Sequence, residues 1–501
     1  MTQAHDARQD ALFDTDRGDL KARSAKGGLA AVFGQGAVFL LGIGSMMYLG
    51  RVLEPADFGL IAMAYSLLLP VLEVRDAGMP SAMIQQRELS RGQAAALFWR
   101  NCKVQLMVSI TVALLAWPMA RFYGDERLTL IMLLFAFTIF CSGLTLLHRS
   151  LLRRQMRFGA VAKIEFGAEF TGVAVACVSA ALGAGYWSLV FLQIAAQYYR
   201  TFAYWVVSRW LPGRPSRGNG HDIDSMRRFS RRVTYSRLIE QFVGKLDQVL
   251  IGYFSTQAAL GLYNRAFKWS VMPLRQLLTP LQQVMVSGSS KLQDDPDKFR
   301  NFFRHGLTMT HAIVMPVMLW LFVAADDFIR IVLGPKWGDA VPIFRVLVLG
   351  GLAGTTVLIT RWLYLAEGRT KEQLRWSMMS MPVLAVGVSA GVPWGAFGVA
   401  CGFSITTALL AVPRVAYAVR GSMLCQRDYW LSAWRPLIAG LVAGALALWL
   451  QEMPMAQAAY YFRAPAVWAA FCLAYIAAFC LTPGGLNQTR TILGNLRSVR
   501  G

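Results

Sequence analysis

Charge is what this sequence is short of. Only 16% of its 501 residues are Asp, Glu, Lys or Arg, against 55% hydrophobic, and the mean hydropathy is +0.42. A soluble domain is charged at about a quarter of its positions. Acids are the scarcer sign, 28 against 50 basic residues. Signatures of nucleotide binding and hydrolysis are missing too. There is no GxxxxGK[ST], no GxSxG and no His–carboxylate cluster, which argues against a primary pump and against most enzymes. The seven cysteines (Cys102, Cys141, Cys177, Cys401, Cys425, Cys472 and Cys480) contain no CxxC pair and mostly lie in apolar segments. Neither disulfides, nor a metal site, nor a cofactor is expected from them. The first 26 residues lack an apolar h-region, so no cleaved signal peptide is expected.

What is abundant is uncharged apolar sequence in runs long enough to cross a bilayer, such as 28–50 and 128–147. The expected fold is an all-α polytopic membrane protein with about fourteen transmembrane helices. The spans lie near 28–50, 57–80, 95–120, 128–148, 159–183, 186–208, 230–254, 258–286, 300–324, 341–366, 372–391, 394–418, 433–451 and 465–482.

Loop charges test that count. With the N-terminus inside, the cytoplasmic turns hold Arg17, Lys21, Arg23 and Lys26, then Arg87 and Arg91, then Arg149, Arg153, Arg154 and Arg157. Further along they hold Arg209, Arg214, Arg217, Arg227 and Arg228, then Lys291, Lys298, Arg300 and Arg304, then Arg369 and Lys371, then Arg420 and Arg427, and finally Arg490, Arg497 and Arg500. The other side has few, among them Arg51, Arg121, Arg330 and Arg463. This alternation follows the positive-inside rule and places both termini in the cytoplasm. Much of the formal charge of +22 is therefore topology, and a nucleic-acid partner is not expected.

An internal repeat is visible at an offset of 202. Gly42 meets Gly244, Gly50 meets Gly252, Ala56 meets Ala258, and Gly59–Leu60 meets Gly261–Leu262. Gly185 and Gly395, each opening an even-numbered span, match at an offset of 210. Two six-helix lobes related by a pseudo-two-fold are the expected architecture. The division is a tail 1–27, an N-lobe 28–208, a basic connection 209–228, a C-lobe 229–420, and two further helices with a tail over 421–501.

Charges inside such spans normally face a bundle interior or a wet cavity. On a helix, residues 234–248 place Arg237, Glu240, Gln241, Lys245, Asp247 and Gln248 on one face. Span eight adds Arg265, Lys268, Arg275, Gln276, Gln282 and Gln283, within about one-third of a turn of each other. At the repeat offset the first lobe has Gln35, Val38, Ile43 and Ser45 instead of Arg237, Glu240, Lys245 and Asp247. A cationic wall in the second lobe suits an anionic ligand, above all a phosphate or pyrophosphate. The alternative is that Arg237 with Glu240 or Gln241, and Lys245 with Asp247, are structural pairs. Glu165, Glu169, Glu240 and Asp247 are the acids available for a coupling proton or cation. Arg100, Arg200 and Lys163 sit where they either snorkel or join the cavity.

Eight segments carry a family resemblance: GRVLEPADFGL at 50–60, DAGMPSAMIQ at 76–85, ALFWRN at 96–101, LLRRQMRF at 151–158, GYWSLV at 185–190, KLDQVLIGYF at 245–254, LGLYNRAFK at 260–268 and LGPKWGDAVPIFRVL at 333–347. In them the chain resembles bacterial polysaccharide exporters, the lipid-linked oligosaccharide flippases of the multidrug/oligosaccharidyl-lipid/polysaccharide exporter superfamily. The resemblance implies a two-lobed, alternating-access fold in the bacterial inner membrane. It implies translocation of an undecaprenyl-diphosphate-linked repeat unit for exopolysaccharide or lipopolysaccharide assembly. The partners it implies are membrane lipids and a polysaccharide polymerase with its export machinery. Cationic cavity residues of that family receive the diphosphate, which carries over to Arg237, Lys245, Arg265, Lys268 and Arg275. Two other functions compete with this one. A cation-coupled multidrug antiporter of the same superfamily needs an acidic or neutral cavity. A membrane glycosyltransferase or polymerase needs a sizeable external loop, and the longest expected here, around 325–339 and 451–463, are short.

Overall fold

The computed structural model describes residues 20–75, 91–213, 244–452, 460–483 and 485. Among these every regular element is helical, with no strand. In chain order the helices are α1 (Leu20–Val52), α2 (Pro55–Arg75), α3 (Arg91–Tyr123), α4 (Arg127–Arg154), α5 (Phe158–Ala181) and α6 (Trp187–Ser208), then α7 (Leu246–Phe254) and α8 (Gln257–Ser290). They continue as α9 (Pro296–Val323), α10 (Ala325–Val332), α11 (Ala340–Ala366), α12 (Thr370–Ala390), α13 (Gly395–Ala418), α14 (Gln426–Glu452) and α15 (Tyr460–Leu481). Each expected span has a helix at its position as far as it falls on described residues, and α10 is an addition. Among the described residues, eight helices (α1, α3, α4, α5, α9, α11, α13 and α14) are by length and composition apolar enough to cross a membrane. α8 is long enough, at 34 residues, but one of its faces is polar along its length.

The reasons for these helices are local. α9 starts where Asp295 accepts the backbone N–H of Lys298 at 3.1 Å, with Pro296 in the first turn, where its missing N–H is harmless. From there Phe299, Phe303, Leu307, His311, Val314, Met318 and Leu321 recur every three or four residues on its buried side. α4 buries Ile131, Phe135 and Ile139 at the same spacing.

Packing divides the chain into two compact units, Met1–Gly261 and Leu262–Gly501. In the first, Ala94, Phe98 and Cys102 of α3 pack on Leu147 and Leu151 of α4 and on Trp210. In the second, Leu319 and Val323 of α9 pack on Ala443 and Ala447 of α14 and on Val467 and Phe471 of α15. The helix pairings α3–α4, α4–α6 and α5–α6 of the first unit recur as α9–α11, α11–α13 and α12–α13 in the second. Gly185 and Gly395 both hold the left-handed backbone conformation, φ +56° and +63°, just before or at the start of α6 and α13. A side chain there strains the backbone, which explains the same residue at both turns.

The repeat also shows inside the first unit. α2 and the first turns of α8 cross at Gly59 and Gly261. A Cβ on Gly59 would lie 1.8 Å from the carbonyl oxygen of Gln257, and one on Gly261 would lie 1.9 Å from that of Pro55. Pro55 and Gln257 are themselves one repeat offset apart, so the crossing is locally two-fold symmetric.

Candidate functional site

α8 sorts its residues by face as the period requires. Leu260, Tyr263, Ala266, Trp269, Ser270, Leu274, Leu278 and Met285 are buried. Lys268, Arg275, Gln276, Thr279 and Gln283 are exposed on the other side, with Arg265 half-buried at its margin. At 1.5 Å per residue, Lys268 and Arg275 stand about 10 Å apart along the axis. Arg275 lies near the midpoint of the helix, roughly 27 Å from its first residue and roughly 22 Å from its last. No side chain snorkels that far, so if α8 crosses the membrane its cations must face water or ligand.

The other half of the expected cationic wall looks different. Arg237 and Glu240 lie outside the described residues. Lys245 does not ride on a continuous helix. It precedes the first residue of α7 in a turn with Gly244, at φ −119° and ψ 0°, and is half-buried. Asp247 and Gln248 are buried inside the first unit, at 5% and 3% exposure. The polar side of α7 is thus its packed side, and Tyr253 and Phe254 are exposed. A period-based projection sorts faces correctly but leaves open which face points inward.

Glu165 and Glu169 have protein partners. Arg200 of α6 donates from Nε to Glu165 at 3.0 Å and from Nη2 to Glu169 at 3.3 Å. Tyr204 donates its hydroxyl to Glu165 at 2.8 Å, and Arg149 of α4 approaches the same carboxylate at 3.4 Å. Both Glu165 oxygens are therefore engaged, and the arrangement ties α4, α5 and α6 together. Arg200 belongs to this network instead of snorkelling. Replacing Glu165 by Gln is expected to destabilise the protein by roughly 1–3 kcal/mol, the scale of losing charged hydrogen bonds in a partly buried site. A thermal melt in detergent measures it, and an unchanged midpoint would show that the network contributes nothing.

Sequence reading passes over several charges that the structure brings together. Asp428, with its side chain 4% exposed, receives Arg300 at 2.8 and 3.2 Å, Arg304 at 3.4 Å and the N–H of Cys425 at 3.0 Å. Arg369, in the α11–α12 turn, is held by Glu372 and Glu367 and donates to the carbonyls of Ala418, at 3.0 Å, and Arg420. The hydrogen bond to Glu372 raises its guanidinium above the ordinary arginine range, burial working against it and Glu367 with it. Arg345, Arg414 and Arg435 lie within apolar helices. A lone arginine next to proline, as in Pro413–Arg414 and Arg435–Pro436, was the available signal.

These features define a class: a multi-pass helical membrane protein with repeated helix pairings and cations midway along a long helix, the build of a transporter. Among solved structures, a lipid II flippase MurJ in an inward closed conformation superposes with a TM-score of 0.67 at 12% identity, over 91% of this chain and 98% of that one. An inward-facing multidrug resistance transporter of the MATE family superposes with 0.59 at 11% identity, over 80% and 94%. These likenesses show that the chain shares the fold of those two transporters. A family profile described as "Polysaccharide biosynthesis protein" matches residues 48–342. The chain belongs to this family. It is similar to the lipopolysaccharide biosynthesis protein WzxC of Escherichia coli, 24% identical over 419 residues, 81% of this chain and 83% of that protein. The teichuronic acid biosynthesis protein TuaB of Bacillus subtilis is 23% identical over 383 residues, 75% and 78% of the two chains.

Proposed function

We propose that this protein is a flippase that carries an undecaprenyl-diphosphate-linked oligosaccharide from the cytoplasmic to the periplasmic leaflet of the bacterial inner membrane. It works by alternating access, supplies exopolysaccharide or lipopolysaccharide assembly, and makes or breaks no covalent bond. The observation that carries this reading is family membership joined to the cationic face of α8. A diphosphate is an anion with several acceptor oxygens, and Lys268 and Arg275, with Arg265 at their margin, offer donors at the depth where a head group must pass. A low dielectric there strengthens each contact. The same charges disfavour an antiporter of cationic drugs, which needs acids in their place. Both termini face the cytoplasm, where the basic turns lie. A polymerase and the export machinery take up the product on the far side.

Deleting the gene tests the reading. One surface glycan is expected to disappear while its lipid-linked repeat unit accumulates, protected from glycosidase added to the outside of spheroplasts. Normal glycan with no accumulated intermediate would overturn it.

A further inference from the structure

One end of the second unit holds donors without acceptors. Tyr364 lies in the last turn of α11, Trp376 in the second turn of α12, and Arg414 one turn before the end of α13. The side chains of Arg414 and Trp376 meet, and Tyr364 lies nearby. The Arg414 guanidinium carbon sits 5.8 Å from the centre of the Trp376 ring, and Tyr364 is within electrostatic reach of Arg414. Tyr364 and Trp376 are 2% and 9% exposed. The Tyr364 hydroxyl, the Trp376 indole N–H and the Arg414 Nε are all buried with no hydrogen-bond partner among the described residues.

Buried donors of this kind are costly unless something accepts from them. The nearby acids are already engaged: Glu367 and Glu372 both bind Arg369. Glu367 also accepts from the Ser422 hydroxyl at 2.5 Å and from the Met423 N–H at 3.3 Å. The surroundings are basic, with Lys371, Arg375 and Arg420 exposed around the same end. Outward from this cluster, α12 and α13 present Met378, Met379, Val383, Ile405, Leu409 and Val412, each 48–71% exposed. An anion-binding head beside an apolar flank is the outline of an anionic lipid.

We propose that Arg414, Tyr364 and Trp376 form a binding site for the phosphate of an anionic membrane phospholipid. The guanidinium supplies charge and a planar donor pair, the phenol and indole each supply one hydrogen bond, and the acyl chains lie along α12 and α13. The site is separate from the cationic face of α8 and needs no transport substrate.

The experiment uses the purified full chain in detergent, titrated with phosphatidylglycerol, phosphatidylcholine or inorganic phosphate while the thermal midpoint is followed. Phosphatidylglycerol is expected to raise the midpoint saturably and phosphatidylcholine far less. The half-saturating concentration is expected to rise at least ~10-fold in Arg414→Gln, the effect of losing one charge-assisted hydrogen bond of about 1.4 kcal/mol or more. Arg414→Lys keeps the charge without the fork, and Tyr364→Phe removes only a hydroxyl; both should weaken binding by less. Reading half-saturation, not the midpoint itself, keeps a destabilised variant informative. A shift produced equally by inorganic phosphate in the wild type, and lost in Arg414→Gln, keeps the phosphate site and makes its occupant a free anion. Equal half-saturation by phosphatidylglycerol in the wild type, Arg414→Gln and Tyr364→Phe would overturn the proposal.

Discussion

A protein in which Lys268 and Arg275 are both replaced by Gln is expected to reach the membrane at normal level and to leave the cell without its surface polysaccharide. Both side chains are exposed on the polar face of α8, opposite the packed row Tyr263, Ala266, Ser270, Leu274 and Leu278. Glutamine is shorter but keeps a neutral hydrogen-bonding group on that exposed face, so the change is mild for folding. Function is another matter. Each charged hydrogen bond to a diphosphate contributes roughly 1.5–3 kcal/mol, so losing both weakens head-group binding by roughly 10²–10⁴-fold. Arg265→Ala should act in the same direction, with a larger stability cost because that side chain is half-buried. Surface glycan staining and an immunoblot measure the two quantities. Normal glycan in the double variant would remove α8 from the substrate path.

The fold was legible because it is written in hydropathy and loop charge, which act over twenty residues at a time. The polar face of α8 was legible for a similar reason: its 34 residues give the helical period room to show. Residues 244–254 were less so. Lys245 and Asp247 sit at the start of a nine-residue helix, where a turn replaces the expected periodicity. Glu165 shows another limit. Its partners lie 16, 35 and 39 positions away at Arg149, Arg200 and Tyr204, and helix pairing alone brings them together. On sequence alone Glu165 is an acid in an apolar span and a candidate for ion coupling, and nothing in its own segment names these partners. The Asp428 and Arg369 clusters were hidden by topology itself, because their arginines had already been accounted for as positive-inside loop charges.

The repeat carries the second large prediction. Sequence shows Gly59 and Gly261 as matched positions, and the structure adds that they touch. Because the atoms a new Cβ would strike are backbone carbonyls, neither Gly59→Ala nor Gly261→Ala can be relieved by a side-chain rotation. The backbones must part by more than an ångström, loosening α2 against the first turn of α8. Overpacking of this kind costs about 1–3 kcal/mol, at times more, and small residues are what let membrane helices approach so closely. Each alanine variant is therefore expected to melt well below the wild type in detergent, by similar amounts because the contact is symmetric. The double variant is expected to be less damaged than the two single losses added together. Once the helices have moved apart for one methyl group, the second occupies space already opened. Gly59→Leu should go further and prevent accumulation of folded protein. Size-exclusion profiles of a fluorescent fusion and thermal melts check all of these. An alanine variant as stable as the wild type would mean that the close crossing of α2 and α8 is absent in the membrane. Strict additivity in the double variant would mean that the two glycines act at separate contacts.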